Sequence, residues 1–221
     1  MTHTVHPYSH RLGIIRDWKS RWFTTKDKYK LYLKSDVLIR QFLEKKLRGQ
    51  FVADIQMERS EKALHVIIET SRPGMIIGRQ GEGSVKLKED IEAFVTKKGL
   101  STGGELKIDI REVRQPESNA MIVAQMIAEG LEKRLPFRRV GKSIVEKVMA
   151  NRDVLGIKLE MSGRLGGASM ARQEKMKRGR IPLQTLRADV DFTKYEAHMP
   201  YGKIGIKVWI YKGDIFEKDK K

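Results

Sequence analysis

The stretch Pro73-Gly74-Met75-Ile76-Ile77-Gly78-Arg79-Gln80-Gly81 decides how this chain is read. It follows a run of strand character and precedes a segment of helical periodicity. Gly78 and Gly81 enclose two polar residues, cationic Arg79 and the amide Gln80. Glycine lacks a Cβ and reaches positive φ at low cost, so its backbone can come close to a ligand. At a helix entrance, where N–H groups lack intrahelical partners, that closeness suits phosphate. Two glycines three apart also suit an ordinary helix-entry turn, so the loop takes its meaning from its surroundings.

Upstream, Ser35 is placed as an N-cap for a helix over residues 36–48, with Asp36 in its first turn and Gly49 as its stop. Ile39, Leu43 and Leu47 form its apolar row, with Leu38 and Phe42 beside it. Phe51, Ala53, Ile55 and Met57 then alternate with Val52, Asp54, Gln56 and Glu58, as in a strand. A polar turn over residues 59–62 leads to a second strand with Leu64, Val66 and Ile68 inward. After the Gly loop, a helix over residues 82–98 aligns Leu87, Ile91, Phe94 and Val95, and a third strand alternates Leu106, Ile108 and Ile110 with Lys107, Asp109 and Arg111. Helix, strand, strand, Gly loop, helix, strand is the order of an α+β domain: a three-stranded sheet with helices on one face.

This order resembles the KH fold of type II topology, and Ile76 through Gly81 is similar to its G-x-x-G loop. The resemblance implies single-stranded nucleic acid gripped by the loop backbone. Gly78 and Gly81 would give close approach, Arg79 charge and Gln80 hydrogen bonds.

Composition points the same way. In 221 residues, 45 Lys and Arg stand against 28 Asp and Glu, a net charge of +17, and the isoelectric point is about 10.0. A polyanion, RNA or DNA before an anionic membrane surface, is the expected partner. With 40% hydrophobic residues the chain can bury a core, and with no cysteine it has neither disulfide nor thiolate site. The absence of any long apolar run predicts a cytosolic protein.

Residues 1–34 read as an irregular basic arm whose cations, Arg11, Arg16 and Arg21 among them, are interleaved with Trp18, Trp22, Phe23, Tyr29 and Tyr32. Such aromatics either stack on exposed bases or anchor the arm to its own domain. His3, His6 and His10 have ligand-like spacing, but Pro7 interrupts them and no carboxylate joins them, so no metal site is expected.

Pro116 opens a helix running to about Leu135, with Val123, Ile127 and Leu131 four apart. A further helix over residues 137–151 puts Phe137, Val140, Ile144 and Val148 on one side and Arg138, Arg139 and Lys142 on another. Three cations so close repel one another unless an anion is near. A strand over residues 156–162 runs into Ser162-Gly163-Arg164-Leu165-Gly166-Gly167-Ala168, which fits neither the P-loop nor the dinucleotide fingerprint. A Gly-rich turn beside Arg164 that lets backbone approach RNA is the better reading. A basic helical segment carrying Arg172, Lys175, Lys177 and Arg178 is expected next. Two alternating strands follow, one with Leu186, Ala188, Val190 and Phe192 inward, one with Ile204, Ile206, Val208 and Ile210 inward, and Tyr201-Gly202 turning between them.

The predicted organisation is therefore a basic arm (1–34), a type II KH domain (35–115), a connecting helix (116–136), a C-terminal α+β domain with an antiparallel sheet (137–212) and a polar tail (213–221). The surplus charge lies mostly outside the KH-like part: residues 138–180 hold twelve Lys and Arg against four acids, residues 35–137 seventeen against sixteen.

Several motifs, taken together, resemble the bacterial-type small-subunit ribosomal protein S-three family across about 200 residues. They are His6-Pro7, Arg11-Leu12-Gly13-Ile14, Arg72 through Gly81, Leu131-Glu132-Lys133-Arg134, Phe137-Arg138-Arg139, Ser162 through Ala168, Leu186-Arg187-Ala188-Asp189, and Tyr201 through Trp209. The resemblance implies a cytoplasmic, non-enzymatic, cofactor-free constituent of the ribosomal small-subunit head. It would bind rRNA and the neighbouring head proteins numbered ten and fourteen. Arg138, Arg139 and Lys142 match the family's cations at the mRNA entrance, where they help to open mRNA structure. RNA contacts are also expected from Arg11, Arg16, Arg21, Arg164, Arg172, Lys175 and Arg178. A free-standing KH regulator is the alternative. A nuclease or lyase lacks support, because the sequence offers no paired carboxylates in a pocket motif, no metal-ligand cluster and no activated nucleophile; Asp189 and Asp191, two apart on a strand face, are expected to form a surface ion pair with Arg187.

Overall fold

The computed structural model describes residues 5–60, 63–100 and 104–216. The chain divides into two compact units, one formed by Trp18–Arg114 and the other by the residues up to Asp17 together with those from Gln115 onward. In chain order the first elements are α1 (Pro7–His10), β1 (Ser20–Arg21), α2 (Lys26–Lys46), β2 (Val52–Arg59), β3 (Ala63–Thr70), α3 (Pro73–Ile77), α4 (Glu82–Lys97) and β4 (Glu105–Glu112). They are followed by α5 (Ala120–Glu132), α6 (Phe137–Ala150), β5 (Gly156–Gly163), β6 (Arg172–Gly179), β7 (Ala188–Met199) and β8 (Gly202–Asp214).

In the first unit, β2 and β3 form the expected hairpin and β4 pairs parallel to β3, with Leu106, Ile108 and Ile110 opposite Leu64, Val66 and Ile68. The side chains of one sheet face, among them Ile55, Met57, Leu64, Val66, Ile68 and Leu106, pack on Ile39, Leu43 and Leu47 of α2 and Leu87, Ile91 and Val95 of α4. This is the predicted KH-type arrangement, with β1 added as a short parallel edge beside β2.

The arm is not irregular. Its latter part belongs to α2, which starts at Lys26 behind Thr25 instead of at Asp36. Ser35 and Asp36 are therefore not caps but buried mid-helix residues. The Asp36 carboxylate accepts from Trp22 Nε1 at 2.7 Å and from Arg59 Nε at 2.8 Å, while Arg59 also donates to Ser35 Oγ and stacks on Tyr32. A buried charge satisfied on this many sides needs no helix terminus to stabilise it. Glu61 and Lys62 of the expected turn lie outside the described residues, as does His3.

In the second unit the strands run in the order β6-β5-β8-β7, all antiparallel. α5 and α6 cover one face through Ala120, Val123, Ile127, Leu131, Val140, Ile144 and Val148, packed on Ile157, Leu159, Met161, Ile204, Ile206, Val208 and Ile210. α5 is thus a core helix of this unit, as its apolar row at four-residue spacing leads one to expect. Its N-terminus is capped twice: Asn119 Oδ1 accepts from Met121 N at 2.9 Å, and Asp191 accepts from Ala120 N at 2.8 Å. Two glycines allow the close layers. A Cβ on Gly130 would meet Val140 at 3.0 Å, and one on Gly141 would meet Met176 Sδ at 2.6 Å.

The segment of residues 172–179 is a strand, β6, and not the expected basic helix. Arg172, Glu174, Met176 and Arg178 alternate with Gln173, Lys175 and Lys177 across it. With Met176 as its one apolar residue, the charge masks the two-residue period.

The chain start also joins this unit. His6 meets Phe192 edge-to-face at 4.7 Å, and Arg11 is fully buried. The Arg11 guanidinium donates to the carbonyls of Ala188 (2.6 Å), Pro7 (3.0 Å), Pro182 (3.3 Å), Leu183 (3.0 Å) and Thr185 (2.9 Å). Burial draws its pKa below the ordinary arginine value, an effect nearby Asp189 opposes. Replacing the planar five-donor fork with an aliphatic chain would orphan these carbonyls, at a cost of ~1–3 kcal/mol for each group left buried and unsatisfied. Arg11→Met is expected to lower the denaturant midpoint markedly with little change in m-value, and Arg11→Lys to recover only part of the loss, since one ammonium cannot span five acceptors.

Candidate nucleic-acid interface

In the first unit the Gly loop is built by two helices meeting head to tail. α3 ends at Gly78, whose φ of 70° and ψ of −174° only glycine adopts readily. Gln80 (φ 51°) and Gly81 (φ 84°) are left-handed, and α4 starts at Glu82 with no side chain capping its first N–H groups. Arg79 and Gln80 are exposed at the tip, and Met75, Ile77 and Val85, also exposed, lie near the loop in sequence. A cationic tip before an open helix N-terminus is an arrangement that accepts phosphate.

One glycine of this loop escaped the sequence reading. A Cβ on Gly83 would stand 2.4 Å from the Ile76 carbonyl oxygen and 2.8 Å from that of Ile77. Gly83, within α4, therefore sets how closely α4 crosses the end of α3. The Gly78-x-x-Gly81-x-Gly83 spacing was its one visible signal. Gly81 differs: a Cβ there would meet nothing nearer than Ser84 Oγ at 3.9 Å.

The arm arginines do not offer the surface expected of them. Arg11 is interior, so it is a structural residue and not an RNA contact. Arg16 binds Asp189 at 2.6 Å, and Arg21 binds Glu58 at 2.5 Å and Gln56 at 2.9 Å. Asp189 and Asp191 accordingly do not pair with Arg187, which binds Asp214 at 3.0 Å. The arm aromatics divide: Trp22 packs against Tyr29 and Tyr32, whereas Phe23 and Trp18 are exposed, Phe23 at 96%. Among the described residues no cluster of His, Asp and Glu is gathered that could hold a metal ion.

On the second unit, α6 is anchored by Val140, Ile144, Val145 and Val148. Arg138, Arg139 and Lys142 are all exposed. Arg138 reaches Glu174 at 2.9 Å and lies over the Phe137 ring, which Arg172 also covers, the guanidinium carbons 5.5 and 5.4 Å from its centroid. Among the described residues, Arg139 and Lys142 have no carboxylate in ion-pair range. Arg164 is turned into its own loop: Nε donates to the Ala168 carbonyl at 2.8 Å and the guanidinium lies over Tyr201. Lys175 and Arg178 are exposed on β6.

A model of the ribosomal protein S3 C-terminal domain matches residues 127–210, and a KH domain model matches residues 38–118. Over 215 residues the chain is 46% identical to small ribosomal subunit protein uS3 of Caldicellulosiruptor bescii, covering 97% of this chain and 94% of that one. The chain belongs to the ribosomal protein S3 family. The uS3 proteins of Shewanella loihica and Xanthomonas euvesicatoria are each 45% identical over 217 residues, with 98% of this chain covered and 91% and 86% of theirs. A member of this family is a structural, RNA-binding protein of the small ribosomal subunit and not an enzyme. No helix among the described residues is long and apolar enough to cross a membrane.

Within this family frame the Gly loop separates into parts with different sensitivities. Gly83→Ala forces backbone against backbone and is expected to cost more stability than Gly81→Ala, which meets only the left-handed penalty of about 1–2 kcal/mol. Chemical denaturation of both variants checks this order; equal losses would remove the close-crossing role assigned to Gly83.

Proposed function

We propose that this chain, as a structural RNA-binding constituent of the small ribosomal subunit, contacts mRNA at the entrance through Arg138, Arg139 and Lys142 of α6 while its other cationic surfaces hold rRNA. The observation that carries this reading is the exposure of Arg139 and Lys142 without a carboxylate partner, on a helix whose opposite side is fixed in the core. Fixed cations can attract a passing phosphate chain at little cost in conformational freedom of the backbone that bears them. Arg138, already shared between Glu174 and Phe137, would hold the edge of that surface in place. Opening of mRNA structure would draw its work from translocation, with the cations holding separated strands by their phosphates. The Gly loop would act as a local clamp on a few nucleotides, and Arg172, Lys175 and Arg178 would face rRNA, with Arg164 holding the shape of its own Gly-rich turn. The head proteins numbered ten and fourteen are the proposed protein neighbours.

Ribosomes carrying Arg138→Ala, Arg139→Ala and Lys142→Ala together are expected to assemble normally and to translate an unstructured message at the usual rate, but to slow on a message with a stable hairpin. Rates on paired reporters check this; equal slowing on both messages would contradict the strand-holding role. Arg79→Ala alone is expected to have the smaller effect.

A further inference from the structure

The face of the second sheet turned away from α5 and α6 carries two cross-strand rows of side chains. The register places Lys175, Glu160, Lys207 and Lys194 side by side from β6 to β7, and next to them Lys177, Lys158, Trp209 and Phe192. Five lysines thus share one face. Glu160, the single carboxylate in these rows, is buried and takes hydrogen bonds from Gln173 and from Lys207, at 3.4 Å, with Lys175 at 3.9 Å. Lys158 lies over the Trp209 ring at 4.4 Å.

Lys177 stands directly opposite Lys158, and Lys207 directly opposite Lys194. Like charges so placed destabilise a sheet. Lysines on a sheet edge are a common guard against edge-to-edge pairing, and that accounts for Lys175 and Lys177 on β6 and Lys194 on β7. It does not reach Lys158 and Lys207 on the inner strands β5 and β8; Trp209 and Glu160 engage these two, but Lys158 still faces Lys177 and Lys207 still faces Lys194. An anionic partner laid across the face would relieve the repulsion.

The charge identifies that partner's chemistry. Trp209 and Phe192 are buried and cannot stack on bases, and no arginine fork lies in either row to read a base edge. Ammonium groups on flexible stems, spaced by ~4.8 Å between strands and ~6.7 Å along a strand, suit phosphates as point charges. We propose that this face is a platform for the sugar–phosphate backbone of RNA, bound through charge and without regard to sequence. The proposal rests on the RNA-binding reading above and adds a surface separate from α6 and from the Gly loop.

The test uses the full chain with Lys158, Lys177 and Lys194 all changed to Gln, leaving Lys175 and Lys207 to Glu160. Binding to a short blunt RNA duplex is measured over a range of salt, with a second duplex of unrelated sequence. The variant is expected to bind both duplexes at least tenfold more weakly and to flatten log K against log[salt] by about 0.7–0.9 per lysine removed. Its thermal midpoint should not fall, and the Lys→Arg triple variant should restore binding. An unchanged salt slope, or a loss confined to one duplex, would overturn the proposal. So would polyglutamate displacing the duplex at equal charge concentration, which would mark the face as a dock for acidic protein. A variant that loses duplex binding while its ribosomes still pass hairpins normally upholds this platform whatever becomes of the α6 reading; if only the α6 variant loses duplex binding, the platform falls.

Discussion

The long helices of each unit cover one face of its sheet, and that constraint organises its chemistry. A strand sends alternate side chains to opposite faces, so the face away from the long helices is free to carry other chemistry. In the Trp18–Arg114 unit the uncovered face mixes signs. His65 lies between Asp109, at 2.8 Å, and Glu58, at 3.9 Å, and Lys19 binds Asp54 at 2.8 Å. In the other unit the same position holds five lysines around one buried glutamate, beside an apolar patch of Val190, Phe192, Trp209 and Tyr211 packed with Ile181 and Leu183. The covered faces are interchangeable in kind, both built of Ile, Leu, Val and Met; the uncovered ones are not. What differs between the units is the charge each sheet presents.

Buried polar groups set the second constraint. Arg11 and the Asp36–Arg59 pair are interior charges in a strongly basic chain, and each is satisfied by geometry that a short-range pattern does not display. Arg11 finds its acceptors near residues 182–188, and Arg59 reaches back to Ser35 and Asp36 on α2. An arginine in a basic arm looks like a phosphate contact for the same reason that it makes a good interior clamp: five donors in a rigid plane. Charge alone does not separate those fates. Burial does, and burial is a tertiary property.

This explains which parts of the structure were legible in the sequence. The β2–β3 hairpin, α4, α6 and β8 were readable because their apolar residues recur at the period of the element and one face is continuous. β6 was not, because Met176 is its one core residue and alternation cannot be seen in a single point. α2 was read ten residues short because Ser35-Asp36 carries the chemistry of a cap and is used instead as a buried acceptor pair. At the candidate interface, Arg138, Arg139 and Lys142 stood out as a run, whereas Lys158, Lys194 and Lys207 are scattered in sequence and come together through strand register alone.

In the Gly loop shape and charge are separated. Its geometry is strict: Gly78 and Gly81 hold positive φ, and Gly83 leaves no room for a Cβ beneath the end of α3. Its charge is slight, with Arg79 the single cation between Gly78 and Gly81. The clamp proposed for it would fix where a few nucleotides sit but add little to long-range attraction, which scales with the number of phosphates neutralised. The cations of α6 and of the second sheet have the opposite character, many charges on rigid elements and no special backbone. Phosphate contacts position a nucleic acid without reading it, so a protein built from both devices can hold many different RNA sequences in one place. The proposed contact with messages of every sequence would require such a pairing of devices.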